Sequence, residues 1–405
     1  MVQSLSCSPG SGSPGSGSPG SGSSGSGSPG SAVALALRSP FVFAVCQLGA
    51  EVAAKAEVAR LRPHWRLAFS RPGLLTWKCE PAVAPDEALA AVFVRAYGVS
   101  LGRAGDAAEL AALLRRTPGL LEAAAGSPLR LHVFERDRAK PGDEAPGDSY
   151  GPFAAAVRKQ LLAALPAGLL GPEPTPRLGD LVLDVVVAAP GAAGDAEPWL
   201  VGLHTHGPGR SVHPGGRVPL QLPPDAPSRA WLKLEEGLVL SGLPLRPGEV
   251  AVEIGSAPGG ASWALLQRGL RVIGVDPGEM AESVLRHPRF THLKQTLGEL
   301  RREQLPRRVD WLLLDVNLAP QVALHQVRRV VSTLRDTLRG ALLTLKLNDW
   351  QLAAQVPQLL ARVQAMGFVD VQARQLATNR QELCVAALMP AAAGRARPLA
   401  RTPSL

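Results

Sequence analysis

Cysteine is scarce: four residues in a chain of 405, at Cys7, Cys46, Cys79 and Cys384, with no CxxC pair and no histidine at ligand spacing. That scatter excludes a disulfide framework and a structural zinc site, and no metal is expected. Long apolar runs are also lacking. The nearest, residues 32–50 (AVALALRSPFVFAVCQLGA), is interrupted by Arg38 and Pro40 and follows no basic stretch, so neither a membrane span nor an export signal is expected. A reducing cytoplasm is the expected compartment. Acidic residues fall short of basic ones, 34 against 43, for a net charge of +9. A surface of that sign attracts polyanions such as nucleic acid, although codon usage in a GC-rich genome gives a similar excess. The stretch 87–203 carries no catalytic constellation. His204, His206 and His213 cluster after it without cysteine or carboxylate company, which predicts a loop surface rather than a metal site.

What is present begins with low complexity. Residues 8–30 repeat SPGSG with a period of five, offering no side chain to bury, so 1–39 is expected to be disordered, as a linker or an over-extended start. From Pro40 the pattern reads strand, helix, strand, turn, strand. Between 87 and 203 it reads two helices (EALAAVFVRAY, AAELAALLRRT), strand LRLHVFERD, a Pro/Gly-rich loop, helix GPFAAAVRKQLLAAL and strands LVLDVVVAA and PWLVGLHT. After residue 221 strands alternate with helices of ten or more residues, the rhythm of a doubly wound α/β domain whose mostly parallel sheet is covered on both faces.

Ligands of such sheets sit at the carboxyl ends of the strands. Here those ends carry the turn Gly255–Gly260 of VEIGSAPGGASWALL, Asp276, Asp315 and Lys346. The turn fits two ligands. Gly255, Ala257 and Gly260 can be laid on a dinucleotide pattern, but Pro258 stands where helix amides should meet a pyrophosphate. S-adenosylmethionine has no pyrophosphate and asks for close backbone approach at Gly259 and Gly260 and an acid, Asp276, on its ribose. A tight strand-to-helix turn with no ligand is the third possibility.

Lys346 interrupts the apolar strand ALLTLKL, where a lysine is costly unless paired or tasked. Lys233 lies in SRAWLKLEEG, where the local sequence alone suits an exposed position beside Glu235 and Glu236. Glu382 opens the last strand. Two lysines with two carboxylates suit removal of a proton from a ribose hydroxyl, with burial and a neighbouring ammonium lowering one lysine toward a usable base.

Taken together, SRAWLKLEEG, VEIGSAPGGASW, GVDPGEM, LLLDV, LTLKL and VQARQLATNRQELCVAAL resemble the FtsJ-type ribose 2′-O-methyltransferases, most closely the RlmM family that methylates a cytidine of 23S ribosomal RNA. The resemblance implies a Lys-Asp-Lys-Glu tetrad at Lys233, Asp315, Lys346 and Glu382, with Lys346 as proton acceptor. It implies S-adenosylmethionine as cofactor, held by Gly255, Ala257, Pro258, Gly259, Gly260, Asp276 and Asp315. Ala230 replaces a serine of close relatives, and Thr296 replaces the acid that meets the adenine. It further implies a Rossmann-like methyltransferase domain over 222–390, a ferredoxin-like segment over 40–82, a THUMP-like RNA-binding domain over 83–212 and a flexible tail over 391–405. RNA is the implied partner and a monomer the expected state. A nicotinamide oxidoreductase would leave Lys233, Lys346 and Glu382 without roles, and a non-catalytic RNA-binding relative would not need the tetrad. Arg158, Lys159, Arg301, Arg302, Arg307 and Arg308 are candidate phosphate contacts.

Overall fold

The computed structural model describes residues 37–137, 139–141, 151–189 and 197–393. The Ser/Pro/Gly repeat and nearly all of the expected tail lie outside them. The N-terminal part is one seven-stranded sheet in the order β2-β3-β1-β4-β7-β6-β5, built from β1 (Ser39–Val45), β2 (Arg66–Arg71), β3 (Leu74–Val83), β4 (Ala96–Ala104), β5 (Arg130–Glu135), β6 (Leu181–Val187) and β7 (Trp199–Thr205). The two small units expected from sequence thus join edge to edge through β1 and β4, a strand the sequence reading does not contain. Helix α1 (Glu51–Leu61) packs beside β1 and β3, while α2 (Ala107–Arg116), α3 (Leu120–Gly126) and α4 (Pro152–Ala164) bury an apolar face on β4 to β7.

The helix expected over EALAAVFVRAY does not form. Its backbone instead runs irregularly past α1, where the carboxylate of Glu57 accepts the amides of Val92 and Phe93 at 3.0 Å each, and its last residues enter β4. An apolar helical period was outcompeted there by a buried acceptor and a strand partner.

The C-terminal part holds the second sheet, in the order β10-β9-β8-β11-β12-β14-β13, with β8 (Val250–Ile254), β9 (Arg271–Val275), β10 (Phe290–Leu293), β11 (Trp311–Asp315), β12 (Gly340–Lys346), β13 (Asp370–Arg374) and β14 (Glu382–Leu388). Pairing is parallel from β10 to β12, whereas β14 runs antiparallel to both β12 and β13, so the sheet is mixed. Strict alternation loads both faces. In β11, Leu312 and Leu314 pack with α8 (Pro320–Leu334) and α9 (Val356–Gln364), while Trp311 and Leu313 pack with α5 (Ala230–Ser241) and α6 (Gly260–Gln267). A strand buried on both faces is why this stretch reads as a continuous apolar run.

The two sheets share one core. Phe93 meets Trp350 edge to face with ring centroids 6.1 Å apart, and Arg374 donates to the Gly209 carbonyl at 2.6 Å. The loop between β13 and β14 is gripped from the N-terminal side as well: Gln375 N–H reaches the Val92 carbonyl at 2.9 Å and the Gln47 amide reaches the Arg380 carbonyl at 3.3 Å.

Candidate active site

Four strand ends meet at one edge of the second sheet. β8 ends at the glycine turn, β9 before Asp276, β11 at Asp315 and β12 at Lys346. Because β14 is antiparallel, its first residue is the one at this edge, and Glu382 is the register partner of Lys346. Lys233 comes from α5, which crosses the same edge. The result is a closed ring of alternating charge. Lys233 Nζ lies 3.2 Å from Asp315 Oδ2 and 2.5 Å from Glu382 Oε1; Lys346 Nζ lies 2.8 Å from Asp315 Oδ1 and pairs with Glu382 Oε2. Each side chain is at most about one-fifth exposed, and Glu382 is nearly sealed. Two ammoniums and two carboxylates balance, which makes such burial tolerable.

The ring sets the titration of its members. At Lys346 burial works to lower the pKa, but the carboxylates of Asp315 and Glu382 outweigh it and hold the ammonium above the ordinary lysine value. At Glu382 burial works upward, and Lys233 and Lys346 overcome it to keep the carboxylate below its usual range. The sequence-based expectation of a lowered lysine is therefore corrected: two anions, each shared between both lysines, weigh more on Lys346 than burial does.

The glycine turn is tight for reasons internal to the protein. Gly255 (φ +82°) lies against Asp315, where a Cβ would stand 2.2 Å from its carbonyl oxygen. At Gly259 (φ +113°) a Cβ would meet Val284 at 2.8 Å, and at Gly260 it would meet Ser228 Oγ at 2.3 Å. These close approaches bring α5 and the Asp276 loop near the turn. Ala257 N–H and Gly278 N–H donate to Asp276 Oδ2 and Oδ1 at 3.2 and 2.7 Å, orienting a half-buried carboxylate that keeps lone pairs for a diol. Ala230 opens α5 and lines a small hollow with Lys233, Asp315 and Thr344.

Thr296 is exposed at the same edge, after β10, where it caps a short 3-10 turn. Its amide and hydroxyl both donate to Glu299 Oε2 at 2.8 Å. An acid thus stands beside the threonine, supplied from three residues on.

Three functional candidates escaped the sequence reading. Glu253 is 2% exposed on β8, its carboxyl bonded to Ser262, and burial pushes it up to about 8. An acid inside VAVEIG, a strand buried on both faces, was the available signal. Glu236 is fully buried one turn beyond Lys233, and its carboxylate accepts Ala377 N–H at 3.0 Å, Thr378 N–H at 2.8 Å and Thr378 Oγ–H at 2.6 Å. Asn379, also fully buried, accepts Leu376 N–H at 3.0 Å and donates to Glu382 Oε1 at 3.3 Å. Together Glu236 and Asn379 tie the helix of Lys233 to the loop that delivers Glu382. The exposed position that the local sequence suits for Lys233 is not found: its side chain is about one-fifth exposed, and its neighbours Glu235, against Arg268, and Glu236 are buried.

The histidine expectation also changes. His204 and His206 are 5% and 6% exposed, not loop surface, because His204 lies on β7 and pairs at 2.5 Å with the buried Asp184 of β6. Among the described residues no cluster of His, Cys, Asp or Glu is arranged to hold a metal.

Glu253 carries a pH signature. Its folded carboxyl stays protonated up to about pH 8, whereas in the unfolded chain it ionises near 4.5. Between those values the unfolded state binds fewer protons, so this group's contribution to stability falls as pH rises from about 4.5 to about 8, at roughly 1.4 kcal/mol per unit. Glu253→Gln should melt several degrees higher than the parent at about pH 9 and no higher at about pH 5. Thermal scans at the two pH values check this, and parallel curves would refute the buried neutral carboxyl.

The model of the FtsJ-like methyltransferase family matches residues 226–376, which contain Lys233, the glycine turn, Asp276, Asp315 and Lys346. A ribosomal RNA large subunit methyltransferase M from Methylococcus capsulatus is 33% identical over 287 residues, covering 67% of this chain and 73% of that protein. The chain belongs to this family. Further members, from Alkalilimnicola ehrlichii (36% over 221 residues, 52% of this chain and 55% of that protein) and Laribacter hongkongensis (37% over 200 residues, 45% and 54%), are also similar. Over these two alignments the chain spans about half the length of the curated relatives it matches. Family membership accounts for the Rossmann-like C-terminal sheet.

Proposed function

We propose that the protein is an S-adenosylmethionine-dependent ribose 2′-O-methyltransferase acting on a cytidine of 23S ribosomal RNA in the cytoplasm. The observation that carries the reading is the closed Lys233–Asp315–Lys346–Glu382 ring at the strand ends beside the glycine turn. A hydride-transfer site has no use for it, and a binding-only relative has no need to keep it.

Asp276 suits the ribose diol of the cofactor, the backbone from Gly255 to Gly260 its methionine and adenosine, and Thr296 with Glu299 the adenine amino group. S-adenosylmethionine, when bound, supplies a sulfonium methyl as electrophile. Lys346 in its neutral form would take the proton of the 2′-hydroxyl as that oxygen bonds to the methyl carbon and the methyl–sulfur bond breaks, the sulfonium leaving as a neutral thioether, and would release the proton later to solvent. Asp315 and Glu382 hold Lys346 in place and stabilise the ammonium it becomes. Lys233 balances their charge and, with Lys346, holds the Glu382 carboxylate below its usual range. The N-terminal sheet, read as a ferredoxin-like segment with a THUMP-like domain, holds the RNA.

Loss of the gene should remove one 2′-O-methyl mark from 23S ribosomal RNA, seen by mass mapping of nuclease fragments. An unchanged map in the deletion strain would remove the substrate assignment.

A further inference from the structure

Of the basic residues singled out from sequence, Arg302 is spent on its own loop, donating to the carbonyls of Leu305, Pro306 and Arg307, and Arg308 pairs with Asp310. A different set converges on the N-terminal sheet. Phe69 and Arg71 on β2, Arg103 on β4, Arg136 just after β5 and Glu197 just before β7 line one concavity floored by apolar strand residues such as Leu200. The Arg71 and Arg103 guanidiniums each lie 5.1 Å from the centroid of the Phe69 ring. Arg136 Nη2 donates to both oxygens of Glu197 at 3.1 and 3.2 Å, and Arg71 pairs with the same carboxylate. Arg103 has no hydrogen-bond or ion-pair partner among the described residues; only the ring engages it.

Among the described residues, three guanidiniums around a single carboxylate leave two positive charges uncompensated in one hollow. Gathering like charges is unfavourable unless an anion joins them, and a guanidinium fork matches a phosphate in two bonds. The apolar floor and the ring suit a sugar or base edge beside that phosphate. We propose that this concavity binds phosphodiesters of a single-stranded stretch of the RNA substrate, with Arg103 as the free fork and Arg71 released from Glu197 as the second. The proposal rests on the RNA methyltransferase reading, and it assigns the hollow a positioning role without base recognition.

The test is filter binding of a 23S ribosomal RNA fragment to the full chain and to Arg71→Ala/Arg103→Ala across a range of potassium chloride concentrations. The double variant should bind about tenfold more weakly near physiological salt. Its salt slope should fall by about 0.7 for each phosphate that the two arginines neutralise in the parent. Its affinity for S-adenosylmethionine, measured by calorimetry, should be unchanged, and its kcat at saturating RNA should stay within about twofold, with the defect in KM. Wild-type affinity and slope in the variant would overturn the proposal. So would tight binding of cytidine monophosphate or inorganic phosphate that the variant loses while RNA affinity stays intact, since the site would then serve a small anion. If the parent binds RNA through these arginines yet methylates none, the enzymatic reading fails and the binding site stands.

Discussion

Lys346→Ala should lower single-turnover methyl transfer to RNA by about 10²- to 10⁴-fold, the usual contribution of a positioned proton acceptor. Affinity for S-adenosylmethionine should change little, because the candidate cofactor-binding groups at Asp276 and the glycine turn stay in place. Some stability is lost too: Asp315 and Glu382 would share Lys233 alone, leaving one uncompensated negative charge in a site about one-fifth open to solvent. Partial exposure keeps that loss to about 1–2 kcal/mol, below the range for sealed pairs. Melting temperature separates the two effects. The parent's pH dependence carries the same signature: since Lys346 is held above the ordinary lysine value, its neutral fraction is small at pH 7 and rises about tenfold per unit. The chemical rate should climb with a slope near one from about pH 6.5 to about pH 9.5. A plateau beginning below about pH 8 would assign the proton to another group.

The second large effect belongs to Glu236→Ala. The carboxylate accepts three donors, the buried amide of Ala377 and the amide and hydroxyl of half-buried Thr378; removing it strands the first at about 1–3 kcal/mol and the other two at less, since solvent partly reaches them. A total destabilisation of about 3–5 kcal/mol is expected in urea unfolding. Activity should fall with it even in the folded fraction, since Thr378 lies four residues before Glu382 and the loop loses its tie to the helix of Lys233. Glu236→Gln keeps one acceptor oxygen and should fall between parent and alanine on both measures. Full stability of the alanine variant would show that the loop is held from the N-terminal side alone.

These residues also show what the sequence made legible. The alternation of apolar strands with long helices announced the C-terminal sheet, and Lys346, Asp315 and Asp276 were visible because a charge at the end of an apolar strand has few structural uses. The reversal of β14 was not legible, yet it is what places Glu382 beside Lys346. Glu236 has no role in the sequence reading beyond being a neighbour of Lys233, because one residue of a helix gives no hint that a loop 141 positions away will supply its donors. The titration of Lys346 was misjudged for a related reason: burial and a second ammonium could be anticipated, but the sharing of both carboxylates between the lysines depends on a geometry that only the fold provides. In the N-terminal half, EALAAVFVRAY had a helical period, and the hydrogen bonds of Glu57 with Val92 and Phe93 overrode it.

Incubating the purified protein with methyl-labelled S-adenosylmethionine and unmodified 23S ribosomal RNA, then digesting the RNA to nucleosides, tests the central claim most directly. The account predicts label in 2′-O-methylcytidine from the parent and none above background from Lys346→Ala. Label on a base, no transfer by the parent, or undiminished transfer by the variant would contradict it.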